Sequence, residues 1–505
     1  MDFTTENRSP GKLFSFIERI GNKVPNPFLL FIYLIVVLMV ATALLSSFGV
    51  TVTNPTNGEI IQVKNLLSIA GLQWMLPNII KNFSSFTPLG SILALVLGAG
   101  LAEKVGLLQA LMVKMASGVS RRYASYMVLF IAFFSHISSD AALVVMPPLG
   151  ALIFLAVGRH PVAGLMAAIA GVASGFTANL LIVNTDVLLS GISTEAAKSL
   201  DGAMHVNVID NWFFMASSVI LLTVVGALLT DKFIEPRLQP WQDRDGDRLP
   251  ALTPLENRGL KAAGIAALIF CGLIALLVIP DHAPLRNPNG SLVPSPFVQG
   301  IVPLIIILFF VVAIAYGVVT KQIRRQDDIP QLLIDPMKSM AGFIVMVFPL
   351  SQFVAFFSWS NMGKFMAFGM TDMLESAGVS GAPAFLGLMF LSAFLCMFIA
   401  SGSAIWSILA PVFVPMFMLL GFHPAFAQMI FRIADSAVLP LAPMSPFLPL
   451  FLGFLQKYEK NAQLGRYYVL ILPYPIAFFI AWILLLVVWY FLGLPIGPGI
   501  YPTLH

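Results

Sequence analysis

Several stretches of this chain run for roughly the depth of a bilayer without one charged side chain, among them residues 28–45, 213–229, 262–278, 297–319, 340–357 and 469–490. A bilayer core is about 30 Å thick and takes about 20 apolar residues of helix to cross. Lipid offers no partner to an unpaired backbone group, so runs of this length read as helices. With 58% apolar and only 10% charged residues, and a mean hydropathy of +0.90, an ordinary soluble domain of 505 residues is excluded. The chain reads as an all-α polytopic membrane protein. Its net charge of +4 is loop lysine and arginine, which gives no reason to expect a nucleic-acid partner. Cys271 and Cys396 both lie in apolar segments, which argues against a disulfide framework or a zinc site. Residues 28–45 are too long for a signal-peptide core and no cleavage pattern follows, so they read as the first span.

Lysine and arginine collect on the cytoplasmic side of bacterial spans, which orients the rest. Arg8, Lys12, Arg19 and Lys23 put the amino terminus inside. The first span leads out to a polar loop, residues 50–81, and residues 86–102 return; residues 104–122, with four basic side chains among leucines, suit a helix along the inner surface. Residues 123–186 then end outside, and residues 213–229 come back to Lys232, Arg237, Arg244, Arg248 and Arg258. Alternating onward, residues 262–278, 297–319, 340–357, 385–454 and 469–490 bring the total to nine crossings, with the carboxyl terminus outside.

Residues 138–161 and 401–424 are copies of one pattern. Without a gap, Ser138 falls on Ser401, Ala141 on Ala404, Pro148 on Pro411, Phe154 on Phe417, Gly158 on Gly421, and His160 and Pro161 on His423 and Pro424. Polar and turn residues match along with the apolar ones, as in a duplicated unit. By the charge count the first copy runs inside to outside and the second outside to inside, so the repeat is expected to be inverted. Arg159 occurs only in the turn expected to face the cytoplasm.

Each unit holds apolar pieces too short to cross alone. Residues 123–134 and 141–157 flank a polar knot from Ser135 to Asp140, and residues 385–399 and 404–420 flank Ser401, Gly402 and Ser403. Runs of 12 to 17 residues at about 1.5 Å each cover roughly 18 to 25 Å. They read as two re-entrant hairpins, entering from opposite sides, whose serines Ser138, Ser139, Ser401 and Ser403 meet near the midplane. Broken backbone at that depth is tolerated where it is buried in protein or lines a wet cavity, which puts a substrate site there.

After the first hairpin comes a polar stretch through Asn179 to Asp186; after the second come Arg432, Asp435 and a helix broken by Pro440, Pro443, Pro446 and Pro449. A mid-membrane arginine costs about 2.5–3.5 kcal/mol on insertion scales, so it needs a partner or a task. Two readings of Arg432 stay open. Asp435, three residues on along the same helix face, neutralises it; or its planar fork takes a substrate carboxylate while Asp435 orients it or carries a coupling ion. Trp406 is open between packing and stacking on an aromatic substrate. Asp140 and Asp186, carboxylates at depth, read as functional, whereas His136, His160 and His423 read as turn or packing residues.

At these residues the chain resembles the AbgT family of transporters, and most of all its p-aminobenzoyl-glutamate branch. The resemblance is carried by Arg-Ile-Gly-Asn-Lys-Val-Pro at 19–25, Ser-His-Ile-Ser-Ser-Asp at 135–140, Ser-Gly-Ser-Ala-Ile-Trp at 401–406 and Arg-Ile-Ala-Asp at 432–435, and extends from about Lys12 to Tyr501. It implies a homodimer with nine spans and two hairpins per protomer. It also implies a substrate path through Asp186, Ser403, Trp406, Pro424, Arg432, Asp435 and Pro443. Many members of the family carry asparagine ten residues before the tryptophan, where this chain has Cys396. A thiol is a poor ligand for hard Na⁺, so a proton is as well supported as sodium as the coupling ion, with Asp186 and Asp435 its possible contacts.

The expected function is a secondary active transporter, not an enzyme, taking up p-aminobenzoyl-glutamate across a bacterial inner membrane. It needs no cofactor beyond H⁺ or Na⁺. The ligand chemistry fits the residues: carboxylates for Arg432 and the hairpin serines and amides, an aryl amine for Trp406. Efflux of sulfonamide-type antimetabolites is the alternative direction. A membrane-embedded hydrolase using Asp140 or Asp186 is a distant third, and no paired-aspartate or His-Glu-x-x-His motif supports it. A phosphate loop G-x-x-x-x-G-K-[ST] is also missing, against a primary pump. The expected division is scaffold at 1–122, 211–380 and 466–492, and transport core at 123–190 and 383–455. The topology is testable with single cysteines in the 158–161 and 421–424 turns, at Arg159 and Phe422, in a background lacking Cys271 and Cys396. An impermeant reagent should reach them from opposite sides of the membrane; same-side labelling would remove the inverted repeat.

Overall fold

The first helix, Pro27–Ser47, starts at Asn26, whose side chain accepts from the Phe28 N–H at 3.0 Å, and Pro27 brings a preset φ to its first turn. The computed structural model describes residues 26–504 apart from 54–57, 59, 139, 240, 242–250, 281, 293–294, 377–380, 400, 444 and 446. Arg8, Lys12, Arg19, Lys23, Arg244 and Arg248, used to orient the chain, lie outside the described residues.

The fold is almost entirely helical. Among the described residues, 8 helices are long and apolar enough to cross a membrane: Pro27–Ser47, Ile69–Lys104, Trp212–Arg237, Pro254–Val278, Ile301–Val319, Ala341–Trp359, Gly402–Leu419 and Leu464–Phe491. Seven of these overlap the expected scaffold spans, Ile69–Lys104 beginning well before the expected 86–102, and the eighth, Gly402–Leu419, is long enough to cross where a piece too short to cross alone was expected. Only 6% of the most apolar stretch of Pro254–Val278 is buried inside the protein, which leaves that helix exposed along most of its apolar length.

Parts of the scaffold differ from expectation. The polar loop at 50–81 folds into strands Thr51–Thr53 and Ile60–Gln62 and a helix, Ile69–Ser84, capped by Ser68 accepting from the Gly71 N–H at 3.1 Å. Its interior Pro77 and the polar Gln73, Asn78, Lys81 and Asn82 among its apolar residues hide it from a hydropathy reading. A further helix, Asp328–Ser339, docks on Thr87–Lys104 at Gly100, where a Cβ would come within 2.6 Å of Pro336. Met362–Ser376 is also helical. Within the segment expected to lie along the inner surface, Leu107–Ala116 is helical, with Leu107, Leu108 and Met112 buried.

The two repeated segments share one local plan. Ala124–Phe134, a 3₁₀ turn at Ser135–Ser138 and Asp140–Ala156 form the first hairpin; Ala382–Cys396 and Gly402–Leu419 form the second. Each then turns through a glycine with positive φ, Gly158 at 69° and Gly421 at 82°, a backbone region open to glycine at no steric cost. In both turns the following N–H, of Arg159 or Phe422, donates to the phenylalanine carbonyl five residues back, Phe154 or Phe417, at 2.8 Å. His160 and His423 are helix caps, each accepting through Nδ1 from the N–H two residues on at 3.2 Å, and Pro161 and Pro424 open the helices Pro161–Ile169 and Pro424–Val438. Both helices then unwind, the first through a π turn at Ala170–Ser174, the second through a 3₁₀ turn at Leu439–Leu441, before Asn184–Lys198 and Leu448–Tyr458 resume.

The two turns are anchored by different means. Arg159, 8% exposed, lies over the Phe154 ring and pairs with Asp231 at 2.5 Å and with Glu235. Phe422, 3% exposed, is held by the carboxyl-terminal segment: the His423 N–H donates to the Pro502 carbonyl at 2.9 Å and the Leu504 N–H to the Gly421 carbonyl at 2.8 Å. Neither side chain is open to a reagent, so the labelling test belongs on the exposed Ala156 and the half-buried Leu420. Removing one member of a buried ion pair costs about 3–5 kcal/mol. Asp231 and Glu235 remain 29% and 24% exposed, so Arg159→Leu should cost about 3 kcal/mol, seen as a lowered unfolding midpoint of the purified protein. Glu235→Leu in the same background should recover part of it; an unchanged midpoint in Arg159→Leu contradicts the clamp.

Candidate functional site

The unwound segment after the first hairpin and the helix after the second meet at one buried charge. Arg432, 1% exposed, projects from the third turn of Pro424–Val438 toward residues 177–186. Its Nη2 donates to the Thr177 carbonyl at 3.0 Å and to Asn179 Oδ1 at 3.3 Å, and pairs with Asp186 Oδ1 at 2.6 Å. Nη1 carries none of these contacts, and Nε is buried with no partner among the described residues. The guanidinium is therefore gripped at one corner.

Asp186 owes its position to the start of Asn184–Lys198. Its Oδ2 accepts from the Val183 N–H at 2.7 Å and from Asn179 Nδ2 at 2.6 Å. A carboxylate in the first turn also meets the positive end of the helix dipole. Thr177 closes the junction: its hydroxyl donates to the Arg432 carbonyl at 3.1 Å and lies 2.6 Å from Ser436 Oγ, which accepts from the Thr177 N–H at 3.1 Å.

Asp435 does not neutralise Arg432, and no ion pair joins them among the described residues. Half-buried, it points the other way, where the Cys396 thiol reaches its carboxylate. That carboxylate lies against Gly402 so closely that a Cβ there would come within 2.4 Å of Oδ2. It occupies the amino end of Gly402–Leu419, where free N–H groups and the macrodipole favour an anion. The second hairpin tip thus meets the Arg432 helix at Asp435. The first tip meets the unwound segment at His136, whose Nδ1 lies 3.2 Å from the Ala178 carbonyl.

The expected site residues divide accordingly. Asn179, Asp186 and Arg432 form one cluster; Gly402 and Asp435 form another, one turn along the same helix. Ser401 caps its helix, accepting from the Ala404 N–H at 3.3 Å, with Ser403 Oγ 3.2 Å away. Ser138 is buried, its Oγ without a partner among the described residues. Ser139 lies outside the described residues, and Asp140 begins the helix Asp140–Ala156. Pro424 sits two turns before Arg432, at the start of the helix, and Pro443 lies half-buried in the unwound stretch beyond it. Trp406 is wholly buried, stacked on Phe431 at 4.8 Å, its Nε1 donating to Ser193 at 3.0 Å; it offers no ring face to a ligand here. Thr177, Ser193, Gln428 and Ser436 were not singled out from sequence, although Gln428 stands one turn before Arg432 and Ser193 two turns after Asp186 on the same helix faces. Among the described residues no group of three or more His, Cys, Asp or Glu side chains could hold a metal ion.

A sequence model of the AbgT putative transporter family matches residues 12–504. The chain is 72% identical over 495 residues to the p-aminobenzoyl-glutamate transport protein of Escherichia coli (strain K12), covering 98% of this chain and 97% of that protein. Among solved structures, the Alcanivorax borkumensis YdaH transporter superposes with a TM-score of 0.88 at 36% identity, over 94% of this chain and 100% of that one. Neisseria gonorrhoeae MtrF, described as illuminating a class of antimetabolite efflux pumps, gives 0.91 at 37% identity, over 97% and 100%.

The Gly402 contact yields a direct test. In Gly402→Ala the nearest atoms in the way are those of the Asp435 carboxylate, a side-chain end that can rotate aside, so the fold should persist while the carboxylate is displaced. Transport should fall about tenfold or more, the equivalent of about 1.4 kcal/mol, with an unfolding midpoint close to parental. Parental transport in that variant would show that the placement of Asp435 does not matter.

Proposed function

Because the chain belongs to the AbgT family of transporters, we propose that it imports p-aminobenzoyl-glutamate across a bacterial inner membrane as a homodimeric, proton-coupled secondary transporter. In this reading the amino terminus is cytoplasmic and the carboxyl terminus periplasmic. The two repeat units are inverted copies whose hairpins re-enter the membrane, and they form a transport core working against the remaining spans.

The observation that carries the reading is the Arg432 guanidinium, buried, held at Nη2 alone, with Nε lacking a partner among the described residues. Both two-point edges of a guanidinium include Nη2, so a carboxylate that binds through two parallel hydrogen bonds takes Nη2 from Asp186, with Nε or Nη1 as the second donor. The identity to the E. coli p-aminobenzoyl-glutamate transport protein supports the choice of that carboxylate ligand.

The coupling follows from charge. The Arg432–Asp186 pair is neutral as it stands. When a substrate carboxylate takes the guanidinium, Asp186 becomes an uncompensated buried anion, costing several kcal/mol. Taking up a proton removes that cost, so substrate and proton bind together. The thiol beside Asp435, in place of a hard oxygen ligand, also favours a proton over sodium. The reverse exchange would drive export, and the likeness to MtrF makes antimetabolite efflux the second reading.

Uptake of labelled p-aminobenzoyl-glutamate by cells expressing the chain tests this, with and without a protonophore and with sodium replaced by choline. Uptake should collapse with the protonophore and persist without sodium; a labelled sulfonamide expelled in preference would favour efflux. Arg432→Ala should abolish uptake, Arg432→Lys should restore only part, and Arg432→Ala with Asp186→Ala should stay inactive. A well-expressed double variant transporting near the parental rate would reduce the pair to an internal salt bridge.

A further inference from the structure

The Arg432–Asp186 contact is one rung of a longer zipper between two helices. On Asn184–Lys198, Asp186 and Ser193 stand nearly two turns apart on one face; on Pro424–Val438, Gln428 and Arg432 stand one turn apart on one face. The faces meet twice: Asp186 with Arg432 at 2.6 Å, and Ser193 with Gln428, where the serine hydroxyl lies 2.8 Å from Oε1. Trp406, from the second hairpin, completes the second rung by donating its indole N–H to the same Ser193 oxygen at 3.0 Å. Ser193 has one proton to give, to Gln428 or to the Leu189 carbonyl at 2.8 Å, and lone pairs to receive the indole. Trp406 and Ser193 are 0% exposed and Gln428 2%, so none of these groups has water as a substitute partner. An unmade hydrogen bond at such depth is costly.

We propose that Trp406 serves transport as a positioning residue, through its indole N–H and not through its ring face. With Ser193 and Gln428 it sets the register of Asn184–Lys198 against Pro424–Val438, and that register delivers Asp186 to Arg432. The inference rests on the reading of Arg432 as the carboxylate site. It differs from an aromatic platform in what the indole must keep: a platform needs a flat ring, and a positioning rung needs the N–H.

Trp406→Phe separates the two, because it keeps a stacking face and removes the donor. The measurement is KM and maximal rate of p-aminobenzoyl-glutamate uptake, at matched surface expression and across a pH series. Trp406→Phe and Ser193→Ala should each raise KM about tenfold, the equivalent of about 1.4 kcal/mol, and each should shift the pH profile of uptake. Ser193→Thr, which keeps the hydroxyl, should restore both. The double variant Trp406→Phe with Ser193→Ala should be no worse than Ser193→Ala alone, since the serine change already breaks the bond that the tryptophan change removes. If Trp406→Phe fails to fold, Ser193→Ala and its threonine rescue still decide. Parental KM in Trp406→Phe or Ser193→Ala, or additive losses in the double variant, would overturn the inference and leave the Arg432 site standing. A parental chain that takes up no substrate would remove both.

Discussion

The structure turns on the cost of burying Arg432. A guanidinium at 1% exposure has no water to solvate it, and the protein meets that cost with partners drawn from a distant part of the chain. Thr177 and Asn179 lie on backbone that has left its helix and Asp186 on the first turn of the next one, so a main-chain carbonyl, a side-chain amide and a carboxylate all face the charge. Unwound backbone inside a membrane protein persists only where such groups are satisfied. The break and the charge therefore depend on each other. Remove the arginine, and the buried Asp186 keeps the Val183 N–H and the Asn179 amide but loses its opposite charge; restore a regular helix at residues 177–183, and the arginine loses partners.

The duplicated hairpins supply the frame for this contact without making it symmetric. Their turns are alike in detail, down to the histidine caps and the left-handed glycines. Charge enters the two halves differently: the first contributes Asp186 on its second helix, the second contributes Arg432 and Asp435 on its first. The anchors differ as well, an ion-pair cluster around Arg159 against main-chain hydrogen bonds from the chain's last residues around Phe422. A repeat whose halves were identical would put like charges in corresponding places; divergence of the halves lets opposite charges meet where the units touch.

Much of this was legible in the sequence. Long uncharged runs place the scaffold helices, and serine, glycine and proline placements mark the hairpins and their turns, because those signals are local. The partner of Arg432 was not legible. Local reasoning offers Asp435, three residues on, and the actual partner lies in another part of the chain, brought near only when the two units pack. Trp406 was open between packing and a ligand surface for a related reason: its partners, Ser193 for the N–H and Phe431 for the ring, come near only in the folded chain. The Ile69–Ser84 helix was hidden by the polar residues among its apolar ones and by Pro77.

The central claim is that a substrate carboxylate displaces Asp186 from Arg432 and that Asp186 then takes a proton. Substrate carboxylates are ionised near neutral pH, since an unperturbed glutamate-type carboxyl titrates at about 4.3, so that proton must come from solution. Purified protein in weakly buffered detergent solution, mixed with p-aminobenzoyl-glutamate while pH is recorded, should take up a proton for each substrate bound, and Asp186→Asn should bind substrate with no proton uptake. Saturable binding by the parental protein with no change in pH would contradict the account.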